Sequence, residues 1–188
     1  NLFYTGTGVN GIRDHFILEN EYIPSKEAIY HWINKYSLEA SAVFKDFKPS
    51  VGNTWITGRI FFWLNGGLYK MCDVVDAKTR FLLATAMTYT HSIPIVKALM
   101  QKAEMKAGKS PRLVMGHMHY SYFQRIKRAF ECEAEHMHNH LSASEYNVEL
   151  VNCYTRVFKP RETVIKSLRT TATVNRILDG WYVYYNFF

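Results

Sequence analysis

The residues best placed to do chemistry in this chain are a histidine cluster and a few carboxylates. His117, His119, His136, His138 and His140 crowd around Cys132. On an extended strand the side-chain period is two, so His-x-His puts both imidazoles on one face, an arrangement open to a transition metal. The spacing is no zinc signature and no paired-cysteine motif accompanies it. The expectation is therefore a solvated or partner-facing histidine edge without metal, with His117, His119, His136 and His138 as the set that would hold one. Asp73 and Asp76 fall on the second strand or at its end and read as turn and cap chemistry. Cys132 and Cys153 have no orienting Asn or Asp placed beside them, so a Cys–His nucleophile is not expected.

A second constellation is basic. Arg156, Lys159, Arg161, Lys166, Arg169 and Arg176 are opposed in that stretch by Glu162 alone, with Tyr154 and Phe158 nearby. Cations interleaved with aromatics make a phosphate-contacting surface. The formal net charge of +7 over 188 residues points the same way, to DNA or RNA. The cysteines, Cys72, Cys132 and Cys153, are odd in number and widely spaced, which fits reduced thiols. No apolar run approaches about 18 residues and no signal peptide is visible. The expectation is a soluble protein of the cytoplasm, associated with the nucleoid or a ribonucleoprotein, with no membrane partner. Asn1 in place of Met raises a missing or processed N-terminus.

The elements that must position these groups follow from periodicity. Val9 to Leu18 reads as a short helix, and Ala28, Ile29, Trp32, Ile33 and Tyr36 fall at helical spacing behind the N-cap candidate Ser25. Two helices with a tight connection resemble a helix-turn-helix over residues 1–44, presenting Lys26, Tyr30, His31, Asn34 and Lys35 outward. Residues 45–54 are a linker by composition. Trp55 to Ala84 contains apolar runs joined by Asn65-Gly66-Gly67 and by Asp76–Thr79, a three-stranded antiparallel meander. Then come a helix over residues 91–107, a strand over 112–116, a helix over 120–130, a short strand over 133–138, a helix over 147–156 and a last helix over 171–186. Three antiparallel strands followed by alternating helix and strand is the order of a ribonuclease-H-like α/β fold: a mixed five-stranded sheet with flanking helices over residues 55–188.

Several segments also resemble a known family, the integrase-like DDE transposases of bacterial and archaeal insertion sequences. They are Ile29–Tyr36, Val51–Trp55, Asp76–Ala84, Arg161–Arg169 and Leu178–Phe187. The resemblance implies an integrase core and three carboxylates that hold two divalent cations, commonly Mg²⁺, for cutting and joining DNA. Its first carboxylate is an Asp three residues after a Trp, which here is Gly58, followed by Arg59. Its second, six residues after a Pro, is His117. Its third, a Glu preceded by Asn, matches Asn147-Val148-Glu149, so Glu149 is the retained position. The chain is thus identified as a degenerate member.

What the resemblance implies for function follows from those substitutions. Glycine offers no ligand, Arg59 adds positive charge beside it, and His117 suits Zn²⁺ or Mn²⁺ better than Mg²⁺. No cofactor is expected, and an inactive enzyme is. The leading expectation is a transposase-derived nucleic-acid-binding protein, acting as a homodimer or in a larger nucleoprotein complex. Its binding residues would be Lys26, His31, Asn34, Lys35, Arg156, Lys159, Arg161, Lys166, Arg169 and Arg176. One alternative is a structural subunit of a nucleoprotein assembly. Another is a mobile-element transposase active in DNA transposition beside an intact copy. A site rebuilt from Asp73, His117 and Glu149 is the remaining catalytic alternative.

Overall fold

The computed structural model describes residues 2–20, 22–64, 66–89, 93–116, 120–130, 132–136 and 171–188. His117, His119, His138, Glu149, Arg156, Lys159, Arg161, Lys166 and Arg169 lie outside these residues. The chain divides into two compact units, the described residues of Phe47–Val157 and those of Asn1–Asp46 with Phe158–Phe188.

The first unit is a mixed α/β structure. Its strands are β1 (Thr54–Leu64), β2 (Gly67–Asp76), β3 (Leu82–Thr88), β4 (Leu113–Gly116) and β5 (Glu133–His136), and its helices are α3 (Ile93–Ala107) and α4 (Tyr120–Phe130). The sheet order is β3-β2-β1-β4-β5. β1 and β2 pair antiparallel from Trp55↔Asp76 to Leu64↔Gly67, around a turn in which Gly66 takes φ 75°. That left-handed conformation suits glycine, which has no Cβ to clash. β2 and β3 are also antiparallel, whereas β4 joins β1 in parallel and β5 joins β4 in parallel.

Both alternating sets of side chains are buried along the second half of β2 and the start of β3, the pattern of strands covered on both faces. On one face Trp55, Cys72, Val74 and Ala84 pack with Val96, Leu99 and Met100 of α3 and with Phe123 and Ile126 of α4. Each large apolar side chain fully buried in this way contributes about 1.5–3 kcal/mol. β1 and β4 approach closely at Gly116. A Cβ there would collide with the Thr57 backbone and hydroxyl, and the Thr57 hydroxyl donates to the Met115 carbonyl at 3.1 Å.

The segment expected as a linker is tied to the sheet. Lys48 Nζ donates to the Met105 carbonyl at 2.6 Å, Phe47 stacks on Phe81 and Pro49 is buried. The Asn53 carbonyl accepts from the N–H groups of Arg112 and Leu113. Its Pro, Gly, Ser and Asn content therefore reflects irregular backbone with fixed partners, not slack chain.

The second unit consists of α1 (Val9–Asn20), α2 (Lys26–Phe44) and α5 (Thr171–Phe187). Ser25 caps α2 as expected, its hydroxyl accepting from the Ala28 N–H at 3.1 Å. Among the described residues of 1–44 no helix-turn-helix is evident, in place of the one expected there. α2 runs on past Tyr36 to Phe44 and packs along α5. The reason is a long-range partner: Phe44 stacks on Phe187 with centroids 3.9 Å apart. α5, placed by periodicity in the core segment 55–188, groups in the structure with α1 and α2. At the α2–α5 crossing the Tyr4 and Ser37 hydroxyls lie 2.7 Å apart, and Ser37 donates onward to the Ile33 carbonyl at 2.6 Å. Gly180 makes room for this chain, since a Cβ there would collide with both hydroxyl oxygens.

Candidate functional site

β1 is the central strand of the sheet, and Gly58 lies on it one residue beyond Thr57, whose partner on β4 is Gly116. Position 58 therefore sits where the β1–β4 parallel ladder ends, beside the point at which the chain leaves β4. This is the position to which the resemblance assigned the first carboxylate, and glycine has no side chain to offer there. His117, which follows Gly116 in sequence, is outside the described residues.

Across the antiparallel ladder Gly58 faces Asp73 on β2, and Asp73 in turn faces Thr85 on β3. Directly paired residues share a sheet face. Asp73 is 1% exposed and Thr85 5%, so a carboxylate is buried one strand away from position 58. Asp73 lies within β2, on the second strand where it was expected, and is not itself part of the turn.

Asp76 does act as a turn residue. Its Oδ1 accepts from the Gly52 N–H at 2.9 Å, and its Oδ2 accepts from the Thr79 N–H and hydroxyl, each at 2.7 Å. These charge-assisted bonds occupy both oxygens and clamp the start of β1 to the β2–β3 turn.

Arg59 departs from expectation. Strand alternation turns it to the face opposite Gly58, where it pairs with the core residue Cys72. Its guanidinium carbon lies 5.2 Å from the centroid of the Phe61 ring. It therefore adds no charge beside position 58, and the lack of a carboxylate there rests on Gly58 alone.

Comparison with solved structures places this arrangement. The chain is similar to a chain of the simian T-cell lymphotropic virus intasome in complex with PP2A regulatory subunit B56 gamma, with a TM-score of 0.52 at 14% identity. The match covers 72% of this chain and 49% of that one, so it spans about half the length of the intasome chain. It is also similar to the HTLV-2 integrase catalytic core domain in complex with magnesium. The dimeric form gives a TM-score of 0.50 at 11% identity, over 72% of this chain and 86% of that one; the trimeric form gives 0.51 at 11%, over 72% and 85%. The fold is that of an integrase core. No protein-family model matches the sequence, and no curated protein matches it.

Among the described residues, this integrase-like sheet does not supply the ligands of a magnesium site of the kind implied by the resemblance. Among the described residues no group of three or more His, Cys, Asp or Glu side chains is arranged to hold a metal ion. Gly58 presents no side-chain oxygen, and both Asp76 oxygens already accept hydrogen bonds, Oδ1 from Gly52 and Oδ2 from Thr79. Of the histidine set, the structure describes the backbone of His136, which pairs with Gly116. Cys72 and Cys132 are buried free thiols. Burial pushes the Cys72 thiol up to about 11 and raises that of Cys132 as well. Thiols held away from the thiolate are weak nucleophiles.

The described basic candidates do not form one surface. On α2, Lys26, His31 and Lys35 are exposed, yet at about 100° per residue Lys26 points well away from the His31–Lys35 side. Lys35 also lies 4.0 Å from Glu39, an exposed i,i+4 pair of small energetic weight. Asn34 is turned inward, its amide nitrogen donating to the Tyr30 carbonyl at 2.9 Å. That corrects its reading as an outward contact residue. Arg176 is exposed on α5. Sequence reasoning weighed Arg59 only as a charge beside Gly58 and passed over Lys70. The signal was available, because Arg59 alternates with Phe61 and Trp63 on one hairpin arm and Lys70 stands opposite Phe61 on the other.

Proposed function

We propose that this chain is a nucleic-acid-binding protein that uses an integrase-like fold without metal-dependent strand cleavage or strand transfer. Gly58 carries the reading: the position on β1 from which a cation-holding carboxylate would project has no side chain. The net charge of +7 supports a polyanionic partner. Its contact residues are Lys26 on one side of α2, His31 and Lys35 on another, and Arg176 on α5, with the sequence-assigned Arg156, Lys159, Arg161, Lys166 and Arg169. A homodimer or larger nucleoprotein complex in the cytoplasm is the setting in which it acts, and Mg²⁺ is not needed for binding. The test is a mobility-shift titration of the full chain with duplex DNA and RNA over a range of salt, with and without chelator. Binding that weakens steeply with salt and ignores chelator supports the reading. Binding that requires a divalent cation, or no binding at low salt, overturns it.

A further inference from the structure

The β1–β2 hairpin carries a surface that the position-58 region does not include. Its register pairs Arg59 with Cys72, Phe61 with Lys70 and Trp63 with Leu68. Alternate residues of a strand share a face and directly paired residues share it too, so Arg59, Phe61, Trp63, Leu68 and Lys70 form one patch. At its base Cys72 belongs to the core. Outward from there the patch opens, with Phe61 42%, Leu68 37% and Trp63 60% exposed. Phe61 lies between two cations, the Arg59 guanidinium carbon at 5.2 Å and Lys70 Nζ at 5.8 Å from its ring centroid. Lys70 is 8% exposed, so its stem is packed into the patch and its ammonium is held close to the ring. None of the five residues carries a negative charge.

We propose that this hairpin face is a stacking platform for the unpaired bases of a single-stranded nucleic acid. Aromatic residues two apart on a strand stand about 6.5–7 Å apart along it, so Phe61 and Trp63 offer successive rings to successive bases. Base–aromatic stacking is tolerant of sequence, and the part-exposed Arg59 beside the rings takes a phosphate, while the buried Lys70 adds positive potential beneath them. A strand edge or an apolar peptide would leave Arg59 and Lys70 without an anion, whereas a nucleotide chain answers both ring and charge. A duplex keeps its base faces stacked on one another and gives this platform nothing to bind. The inference rests on the reading above in one respect, that the partner is a polynucleotide, and adds that its unpaired form is recognised at this hairpin.

The test titrates the full chain with a short oligothymidylate and, separately, with a duplex of equal length. Trp55 and Trp181 are buried, Trp32 is half-buried on α2 and Trp63 is exposed, so the part of the tryptophan quenching that is lost in Trp63→Phe, and not the total, reports on Trp63. The expected result is quenching that falls in Trp63→Phe while binding persists. Phe61→Ala and Trp63→Ala should each weaken single-strand binding about 5- to 150-fold, with duplex binding unchanged. Phe61→Tyr, which keeps a stacking ring, should bind as the parent does and guards against misreading a folding defect. Duplex binding with single-strand affinity unmoved by either alanine overturns this inference and leaves the proposed function standing. Binding of neither polymer overturns both. A parent dimer that Trp63→Ala dissociates, with single-strand affinity unmoved, assigns the face to a second copy of the chain and overturns the platform.

Discussion

Asp73 on β2 pairs directly with Gly58 on β1, so a buried carboxylate faces the backbone position at which an integrase-like sheet is expected to bear one of its own. Restoring that carboxylate by Gly58→Asp would place two like charges side by side in a region of low exposure. Repulsion and desolvation then raise the pKa of one of the pair. Gly58→Asp is expected to lower stability by about 1–3 kcal/mol at pH 7 in urea unfolding. The neutral, near-isosteric Gly58→Asn should cost less, and the gap between the two should narrow toward pH 5 as one carboxyl protonates. Equal stabilities for the two variants at pH 7 would refute the electrostatic coupling.

Asp76 holds three donors from two segments, Gly52 before β1 and Thr79 in the β2–β3 turn. Asp76→Ala removes the acceptor of the Gly52 and Thr79 N–H groups and of the Thr79 hydroxyl and unties the start of the sheet, so a loss of about 1–3 kcal/mol is expected. Asp76→Asn keeps one acceptor oxygen and should retain part of it. Chemical denaturation of the two variants gives the comparison.

Gly180 permits the Tyr4–Ser37 contact, and Gly180→Ala forces its Cβ onto both hydroxyls. The expected cost is about 1–3 kcal/mol from overpacking, despite alanine's better helix propensity. Tyr4→Phe removes one of the colliding atoms, so the two substitutions together should cost less than the sum of each alone. A thermal-melt double-mutant cycle measures the coupling.

Tyr4 has its phenol pushed up to about 12 by burial, against the usual 10.0. The folded state therefore holds this proton more tightly than the unfolded chain. Its stabilising contribution is complete below pH 10 and is lost as pH rises toward about 12. Alkaline unfolding should steepen over that window, and Tyr4→Phe should flatten it. The Cys72 thiol, raised to about 11 from 9.0 by burial, adds the same sign of dependence from pH 9 upward. It should also react with a thiol reagent at pH 8 far more slowly in the folded chain than in urea.

Much of the sheet was legible because its signals are local. Asn65-Gly66 marks the hairpin, Asp76–Thr79 marks the next turn, and the apolar run Leu113–Gly116 marks a buried parallel strand. The helical unit was harder to read. Ser37 is polar yet buried, while Leu38 and Val43 are apolar yet exposed, so the continuation of α2 to Phe44 runs against the amphipathic pattern. Its partners, Tyr4 and Phe187, are remote in sequence. Position 58 was found by counting from Trp55, but the orientation of Arg59 depends on strand alternation and on its partner ring. Adjacency in sequence suggested a charge beside Gly58, and adjacency in a strand places it on the opposite face.

The central claim is binding without metal-dependent cutting. Its most direct test is one incubation of the full chain with labelled terminal-repeat DNA, with Mg²⁺, Mn²⁺ or chelator, resolved on native gels for binding and denaturing gels for cleavage. The account predicts a salt-sensitive shifted band of equal strength in all three and intact strands throughout. Strand cutting that depends on the metal and vanishes in Glu149→Gln would contradict it.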